Sequence, residues 1–541
     1  MLSEGGNIQG RNLQIPPGLK NQKEVIQLIE AHVIQALAEV VGADFVSDDI
    51  VIRQAYSRDP HPSITVRKFN KDPITIPDLI VLPSNTEEVQ GVMRIAHRYG
   101  INAIPMGSGD NLTGYCIPRR SRTMILDLKR MNKILEIDEE NKVIRMQPWV
   151  SYAQVQAETM KRGLWNGGTP AAPSSNNLIS NVLAYGGDWQ TSLAYGLGIR
   201  GVLAFTVVLT NGDVIRTGSH SMSEGDPTYW YGPGPDLKGI WEMGAFGSLG
   251  IITEVLYKLH TWVGGDWPVE EVYSHPPLPK NHRVYWFRFD TPEQAIRAGY
   301  EICYSGIGIG ANLTMKSVDS LVGEPHQAMS IKRFDENYYE PHWMYIMLAG
   351  FSPRQLDYEE KVLLEIIKEV GGEPLDEERR SHMDAYNMDC FRSGDFVRWI
   401  RNGIYAITGF GRGPIENMKK VHELQQEVVE KSNVPSMNKT WPWYYAYDRG
   451  YFWVDERDLY GDQLDYARTI LPMIVQIVRN TTKNPSGYWT LAEPTGAWFG
   501  SQIGPNFHLM LKRMKQVFDP KDMMNPDALT FVRPPEKKKE G

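Results

Sequence analysis

PMGSGDNLTG, residues 105–114, is the stretch on which the reading of this chain turns. A short apolar run, Ile101–Pro105, leads into three glycines, Gly107, Gly109 and Gly114. A glycine-rich turn after a strand exposes consecutive N–H groups, and the missing Cβ atoms let a phosphate or pyrophosphate approach closely. A plain tight turn explains the same residues equally well. Asp110 is compatible with either reading, because its side chain can face away from an anion or bond its own backbone.

The flanking segments give the context. Asp78–Leu82 (DLIVL) reads as a buried strand, and PSNTEEVQGVMRIAHRYG (83–100) as a helix. Its Ser/Asn/Thr start, early glutamates and apolar Val89, Val92, Met93 and Ala96 mark the beginning, and Gly100 marks the end. Residues 1–20 read as a loose arm and Gln22–Val41 as an amphipathic helix. Beyond the loop, Thr123–Asp127 is a predicted strand. Ile134–Ile137 and Val143–Met146 read as hairpin arms around EENK, and Ser151 caps a helix that runs to Gly163. Asn211-Gly212 joins Val202–Thr210 to Val214–Thr217 as a hairpin. This is an α+β order and not the regular βαβ alternation of a dinucleotide fold. A G-x-G-x-x-G string occurs at Gly196, Gly198 and Gly201, but VLAFTVVL follows it instead of a helix, so it is rejected as a Rossmann site. Two further small-residue segments, GGTPAAPSSNNLISNVLAYGG (167–187) and GAFGSLGIITEV (244–255), also adjoin short strands. Three such turns suit a long cofactor gripped along its length, or are three ordinary turns.

Composition narrows the classes. A chain of 541 residues implies two domains, and 42% apolar with 23% charged residues is a globular balance. The formal net charge of −8 argues against nucleic acid, and the basic Lys537–Lys539 run reads as a solvated tail. Cys116, Cys303 and Cys390 lie far apart and form no CxxC. Together with a start that has no apolar leader run, they give a cytoplasmic expectation. No uncharged run reaches membrane-spanning length, and the twelve histidines have no metal-ligand spacing, so neither a membrane span nor a metal site is expected. WVGGDWPVEEVYSHPPLPKNH (262–282) reads as a domain boundary. A second α+β region, heavy in Trp and Tyr, follows over 283–500. PNFHLMLKRMKQVFDPKDMMNP closes the chain with an amphipathic helix stopped at Asp519-Pro520.

The order of these motifs resembles the flavoprotein superfamily of vanillyl-alcohol oxidase and 4-cresol dehydrogenase, which includes FAD-linked D-2-hydroxy-acid dehydrogenases. The matching pieces are the 83–100 helix, IPMGSGDNLTG, ILDLKRMNKILEID, RMQPWVSYAQVQ, LTNGDVIRTGS, YGPGPDLKGIWEMGAFGSLGIITEV and MKQVFDPKDMMNP. The resemblance implies an α+β fold: a two-subdomain PCMH-type FAD-binding domain over 1–264 (core about 70–262), an α+β cap domain with an antiparallel sheet over 265–499, and a C-terminal segment, 500–541, returning to the FAD domain. It implies that Gly107, Ser108, Gly109, Asp110, Asn111, Leu112 and Thr113 wrap the FAD pyrophosphate. Pro170, Ser174, Ser175 and Asn181 would line the flavin side, Ile251 and Ile252 the adenine end, and DWQTSLAYG (188–196) the isoalloxazine. The flavin then accepts a hydride at N5.

Two departures from the family pattern bear on the substrate. Phenol oxidisers carry a loop tyrosine and a late Tyr-Arg pair, where this chain has Thr113 and Tyr488-Trp489. The hydroxy-acid branch carries a His-rich metal motif in the cap, which is absent here. Some members attach FAD covalently, and the resemblance puts Tyr405 at that position; a tyrosine packed in a strand is the other reading. In MNKTWPWYYAYDRGYFWVDERD (437–458), Trp441, Trp443, Tyr444, Tyr445 and Tyr447 form either an aromatic slot for a ring-shaped substrate or an alternating core pattern. The candidate catalytic groups are Tyr445, Tyr447, Arg449 and Tyr488, with Arg392 and Arg398 beside them: a tyrosine as base or phenolate holder, an arginine to pair a carboxylate. The expected activity is removal of a hydride from a small substrate, at the benzylic carbon of an aromatic alcohol or 4-alkylphenol. The alternatives are a 2-hydroxy-acid dehydrogenase and a flavin electron-transfer subunit. The electron acceptor stays open among oxygen, quinone, a cytochrome or another redox protein, and a homodimer is the family expectation.

Overall fold

The computed structural model describes residues 29–58, 75–109, 114–168, 176–187, 191–218, 221, 237–242, 245–266, 278–314, 342–375, 403–431, 443–462, 487–488, 505–526 and 528. For 403–412, 443, 455–462 and 487–488 it describes the backbone path alone. The expected arm over 1–20 lies outside these residues, and the first helix, expected over Gln22–Val41, starts only at Ala31, because Glu30 is extended and precedes it as the N-cap.

Helix α1 (Ala31–Val41) buries Val33, Leu37 and Val41, one face at a spacing of four. Strand β1 (Val46–Ser47) and helix α2 (Ile50–Ala55) follow, then β2 (Leu79–Val81), α3 (Thr86–Tyr99), β3 (Asn102–Met106) and β4 (Thr123–Asp127). Asn85 caps α3 by accepting from the Glu88 N–H, and Val89, Val92, Met93 and Ala96 are its buried face, as the sequence predicted. The sheet order is β1-β2-β4-β3, with β2 and β3 both parallel to β4. One βαβ unit, β2–α3–β3, is therefore embedded in the α+β order. Every residue of β4 is buried, as a central parallel strand requires.

A second, antiparallel sheet has the order β5-β6-β10-β8-β9. It contains β5 (Ile134–Asp138) and β6 (Val143–Met146), the predicted hairpin. Between its strands run α4 (Tyr152–Met160), opened by a Ser151–Gln154 capping box, then β7 (Leu164–Trp165), α5 (Leu178–Tyr185) and α6 (Ser192–Tyr195). Strands β8 (Val202–Val208) and β9 (Val214–Arg216) close on Asn211-Gly212, with Val208 opposite Val214. Strand β10 (Ile251–Lys258) pairs with β6 and β8, and β11 (His260–Thr261) pairs with β7. The G-x-G-x-x-G string is a single tight turn, Gly198–Gly201, that feeds β8. A Cβ at Gly201 would strike the Tyr257 ring, whose hydroxyl donates to the Gly198 carbonyl at 2.9 Å. Gly201 is therefore required by the packing of the Tyr257 ring.

The second half forms one eight-stranded antiparallel sheet, ordered β15-β12-β14-β13-β17-β18-β16-β19. Its elements are β12 (His282–Arg288), α7 (Pro292–Ser305), β13 (Gly310–Thr314), β14 (Trp343–Ala349), α8 (Pro353–Val370), β15 (Glu373–Pro374), β16 (Gly403–Gly413), α9 (Ile415–Glu430), β17 (Trp443–Tyr447), β18 (Phe452–Asp462) and β19 (Gly487–Tyr488). Alternation gives this sheet two faces. Ala311, Leu313, Met344, Ile346, Tyr444 and Trp453 form one core with Ala295 and Ile302 of α7 and Leu363 of α8. Trp286, Trp343, Tyr345, Tyr445, Tyr447 and Val454 join a different core with Tyr152, Trp165, Tyr257 and Trp262 of the first half. The sheet thus lies between its own helices and the N-terminal half. Helix α10 (Pro505–Phe518) returns to that half, where the Phe518 ring meets Trp241 at 5.2 Å. The arrangement is α+β in two parts. Among the described residues, no helix is long and apolar enough to cross a membrane, and no group of His, Cys, Asp and Glu is placed to hold a metal.

Candidate functional site

The Gly107–Gly109 turn leaves the C-terminal end of β3, where it meets the start of α5. Asn177, the residue that precedes α5, does not cap its own helix. Its Oδ1 accepts from the Ser108 N–H at 2.5 Å, and its Nδ2 donates to the Trp149 carbonyl at 2.8 Å. Ser108 Oγ donates to Asn176 Oδ1 at 3.2 Å. A Cβ at Gly107 would collide with Ser180 Oγ and lie 2.8 Å from Asn177 Oδ1. Gly109 takes φ +74°, which L side chains rarely adopt. Hence Gly107 permits the approach of α5, and the turn is held by two asparagines.

A second brace comes from the C-terminus. The Asn525 N–H donates to the Ala103 carbonyl at 2.7 Å, and its Nδ2 donates to the carbonyls of Tyr115 (3.0 Å) and Phe246 (2.9 Å). Tyr115 stacks on Phe246 with centroids 4.2 Å apart. One residue therefore ties β3 through its main chain to the far side of the glycine loop and the 245–250 turn through its side chain. Lys515 anchors this segment: its buried Nζ donates to Asp519 Oδ2 (2.5 Å) and to the Ser248 (2.7 Å) and Met524 (2.6 Å) carbonyls.

Helix α6 docks on the second half. The Ala194 N–H donates to the Ile309 carbonyl at 3.1 Å, at the head of β13. Around α6 lies an aromatic cluster: Tyr195 meets Trp165 edge-on at 5.2 Å and His260 at 4.7 Å, and Trp262 meets both Trp165 and His282 at 5.2 Å. Burial pushes the Tyr195 phenol up to about 12 and holds His260 and His282 down at about 4, so all three are neutral at pH 7.

The structure separates the candidates drawn from sequence. Tyr445 and Tyr447 share the inner face, whereas Tyr444 lies on the opposite, helix-covered face. Tyr447 is fully buried and stacked on Phe452 at 5.0 Å. Arg449 sits in the predicted turn at φ +59°, and its Nη1 donates to the carbonyls of Ile307 (3.1 Å) and Gly308 (2.7 Å). Asp448 beside it pairs with Arg200 at 3.0 Å, and burial raises its carboxyl above the usual range. Asn181 Oδ1 accepts from Tyr152 Oη at 3.0 Å. Ile251 is buried in the β2–β4 core, and Ile252 packs partly buried against the inter-half core. Tyr405 lies opposite Tyr460, and Tyr488 opposite Gly411, by backbone register. Asp110, Asn111, Leu112, Thr113, Pro170, Ser174, Ser175, Arg392, Arg398 and Trp441 lie outside the described residues. Sequence reasoning missed Asn176, Asn177 and Asn525. The signal for Asn177 was its place directly before an apolar helical run, where an asparagine caps or braces.

The residues present fit FAD. The glycine turn at a strand end, the start of α5 against it and the amide braces together make a backbone cradle of the kind that takes a pyrophosphate. The FAD binding domain family matches residues 77–218, and the C-terminal domain family of FAD linked oxidases matches residues 495–529. The glycolate oxidase subunit GlcD of Bacillus subtilis is 31% identical over 232 residues, 43% of this chain and 45% of that one, so the chain spans about half the length of that relative. A probable mitochondrial D-lactate dehydrogenase of Danio rerio is 21% identical over 91% of this chain and 90% of its own length. The p-cresol methylhydroxylase structure superposes with a TM-score of 0.73 at 18% identity, covering 92% of this chain and 96% of that one. The chain therefore carries an FAD binding domain over residues 77–218 and a match to the C-terminal domain of FAD linked oxidases over 495–529, on a fold similar to that of p-cresol methylhydroxylase.

Proposed function

We propose that the protein is an FAD-dependent oxidoreductase that takes a hydride from the benzylic carbon of a small aromatic alcohol or 4-alkylphenol. The observation that carries this reading is the inner face of the eight-stranded sheet, where Trp286, Trp343, Tyr345, Tyr445 and Tyr447 meet the first half as one aromatic surface. Flat aromatic walls suit a ring-shaped substrate. The proposed division of labour follows the chain at 1–264, 265–499 and 500–541. The 107–113 turn, Pro170, Ser174, Ser175 and Asn181 hold the cofactor, with Ile251 and Ile252 at the adenine end. FAD when bound supplies the hydride acceptor. Tyr445 Oη holds or receives the substrate's proton, and Tyr447 fixes the wall through Phe452. Arg449, whose Nη1 bonds two cap carbonyls, positions the Ile307–Gly308 turn beside Ile309, the acceptor for α6. Tyr488 is the second candidate hydroxyl. The proposed electron acceptor is oxygen or a redox protein such as a cytochrome, and the proposed assembly is a homodimer.

A second reading, oxidation of a 2-hydroxy acid, draws on the names of the relatives that share the FAD domain. Anaerobic mixing of the FAD-loaded protein with 4-hydroxybenzyl alcohol, 4-ethylphenol, D-lactate and glycolate separates the two. Bleaching of the visible flavin band by the phenolic substrates supports the first reading, and bleaching by the acids alone replaces it with the second. Bleaching by none of them, with reduction only by a protein partner, would refute both.

A further inference from the structure

Strand β13, Gly-Ala-Asn-Leu-Thr, crosses the middle of the eight-stranded sheet. Ala311 and Leu313 face the helices, so Asn312 between them faces inward. The register agrees: Asn312 stands directly opposite Tyr345 on β14 and Tyr445 on β17, both on the inner aromatic face. Asn312 is 3% exposed, and among the described residues neither its Oδ1 nor its Nδ2 has a hydrogen-bond partner. A buried amide with both ends unmet destabilises a fold, and a leucine of similar size would not carry that cost. Thr191 Oγ1 and Tyr257 Oη, buried in the same inter-half region, each donate to a carbonyl, at 2.6 and 2.9 Å. Asn312 also lies three residues past Ile309, whose carbonyl accepts from the Ala194 N–H of α6.

We propose that Asn312 is a substrate-recognition residue whose amide binds a hydroxyl of the substrate. This inference rests on the oxidoreductase reading above. An amide presents a donor and an acceptor side by side. A neutral hydroxyl answers both, since its oxygen accepts from Nδ2 and its proton goes to Oδ1. A carboxylate answers only the Nδ2 end and sets negative charge against Oδ1. The residue therefore selects for the hydroxyl-bearing part of the substrate, whichever way round the amide is assigned.

The test uses the FAD-loaded protein and its Asn312→Leu and Asn312→Thr variants. The readouts are the shift of the oxidised flavin spectrum on titration with phenol and with toluene, and the urea midpoint without ligand. The wild type should bind phenol more tightly than toluene. Asn312→Leu should lose that preference, with the phenol dissociation constant rising about tenfold, the size expected for a lost buried hydrogen bond. Its urea midpoint should rise, because the unmet amide is gone. Asn312→Thr, which keeps a donor and an acceptor, should restore part of the preference. Unchanged phenol binding in Asn312→Leu, or a lowered urea midpoint in both variants, would overturn the proposal, since the amide would then be serving the fold. If the wild type is bleached only by 2-hydroxy acids, the benzylic reading fails by itself. Asn312 is then tested by D-lactate against propionate, and the loss of that preference in Asn312→Leu is again the supporting result.

Discussion

Replacing Lys515 by methionine should cost about 3 kcal/mol and loosen FAD with it. Lys515 Nζ is nearly inaccessible and contacts Asp519 and the carbonyls of Ser248 and Met524. Methionine fills a similar volume but strands the Asp519 carboxylate, which is fully buried. Breaking a buried pair from one side typically costs about 3–5 kcal/mol. Asp519 keeps the Met523 and Met524 N–H donors, at 3.0 and 2.7 Å, which puts the cost at the lower end of that range. The loss propagates because Met523 to Asn525 brace Ala103, Tyr115 and Phe246 around the glycine turn. Urea unfolding followed by flavin release and by Trp fluorescence reads both effects, with Trp241 against Phe518 as the nearby reporter. The double variant Lys515→Met/Asp519→Leu should be less destabilised than the sum of its single variants, since it leaves no charge unpaired. A cost of Lys515→Met below about 1 kcal/mol, or strict additivity in the double variant, would refute this account of the C-terminal brace.

Four shorter predictions follow. Gly107→Ala should weaken FAD binding with little change in global stability, read by flavin titration and circular dichroism, because its Cβ pushes on Ser180 and Asn177. Gly201→Ala should do the reverse, costing about 1–3 kcal/mol through the Tyr257 ring while sparing FAD affinity. His260 and His282 titrate near 4 in the fold and near 6.5 when unfolded, so the unfolded chain binds more protons between those values. Stability should fall as pH drops through that window, by up to about 1.4 kcal/mol per pH unit for each histidine, and His260→Gln with His282→Gln should flatten the urea midpoint against pH. Acid precipitation should leave the flavin in the supernatant; a yellow pellet that Tyr405→Phe turns colourless would establish a covalent link instead.

Much of the first half was legible because local rules and tertiary packing agree there. The Asn85 cap of α3, the Ser151–Gln154 box and the Asn211-Gly212 hairpin each follow from chemistry within a few residues. The parallel pairing of β2 and β3 with β4 was not legible, because parallel neighbours are set by distant segments. In the aromatic stretch the alternation of Tyr444 and Tyr445 could be read, but which of them faces the first half could not. That face is decided by α7 and α8, far away in sequence. Lys515 reads as an exposed helix lysine. It is buried because Ser248, some 270 residues earlier, offers its carbonyl.

Asn312 and Asn177 show why a single residue type carries opposite meanings here. Both are buried asparagines outside any catalytic motif. Asn177 meets Ser108 and Trp149 with its two amide ends, so its burial is offset within the fold and its role is to fix the loop. Neither amide end of Asn312 meets a hydrogen-bond partner among the described residues, so within these residues its burial is not offset. Selection for stability alone would replace it, because the flanking Ala311 and Leu313 already make the strand apolar. An uncompensated cost in the middle of a rigid sheet is expected where a fold trades stability for recognition. Fixing the amide on a central strand, where a loop would let it adapt, also orients its donor and acceptor before a ligand arrives, which is what discrimination between a hydroxyl and a methyl group demands.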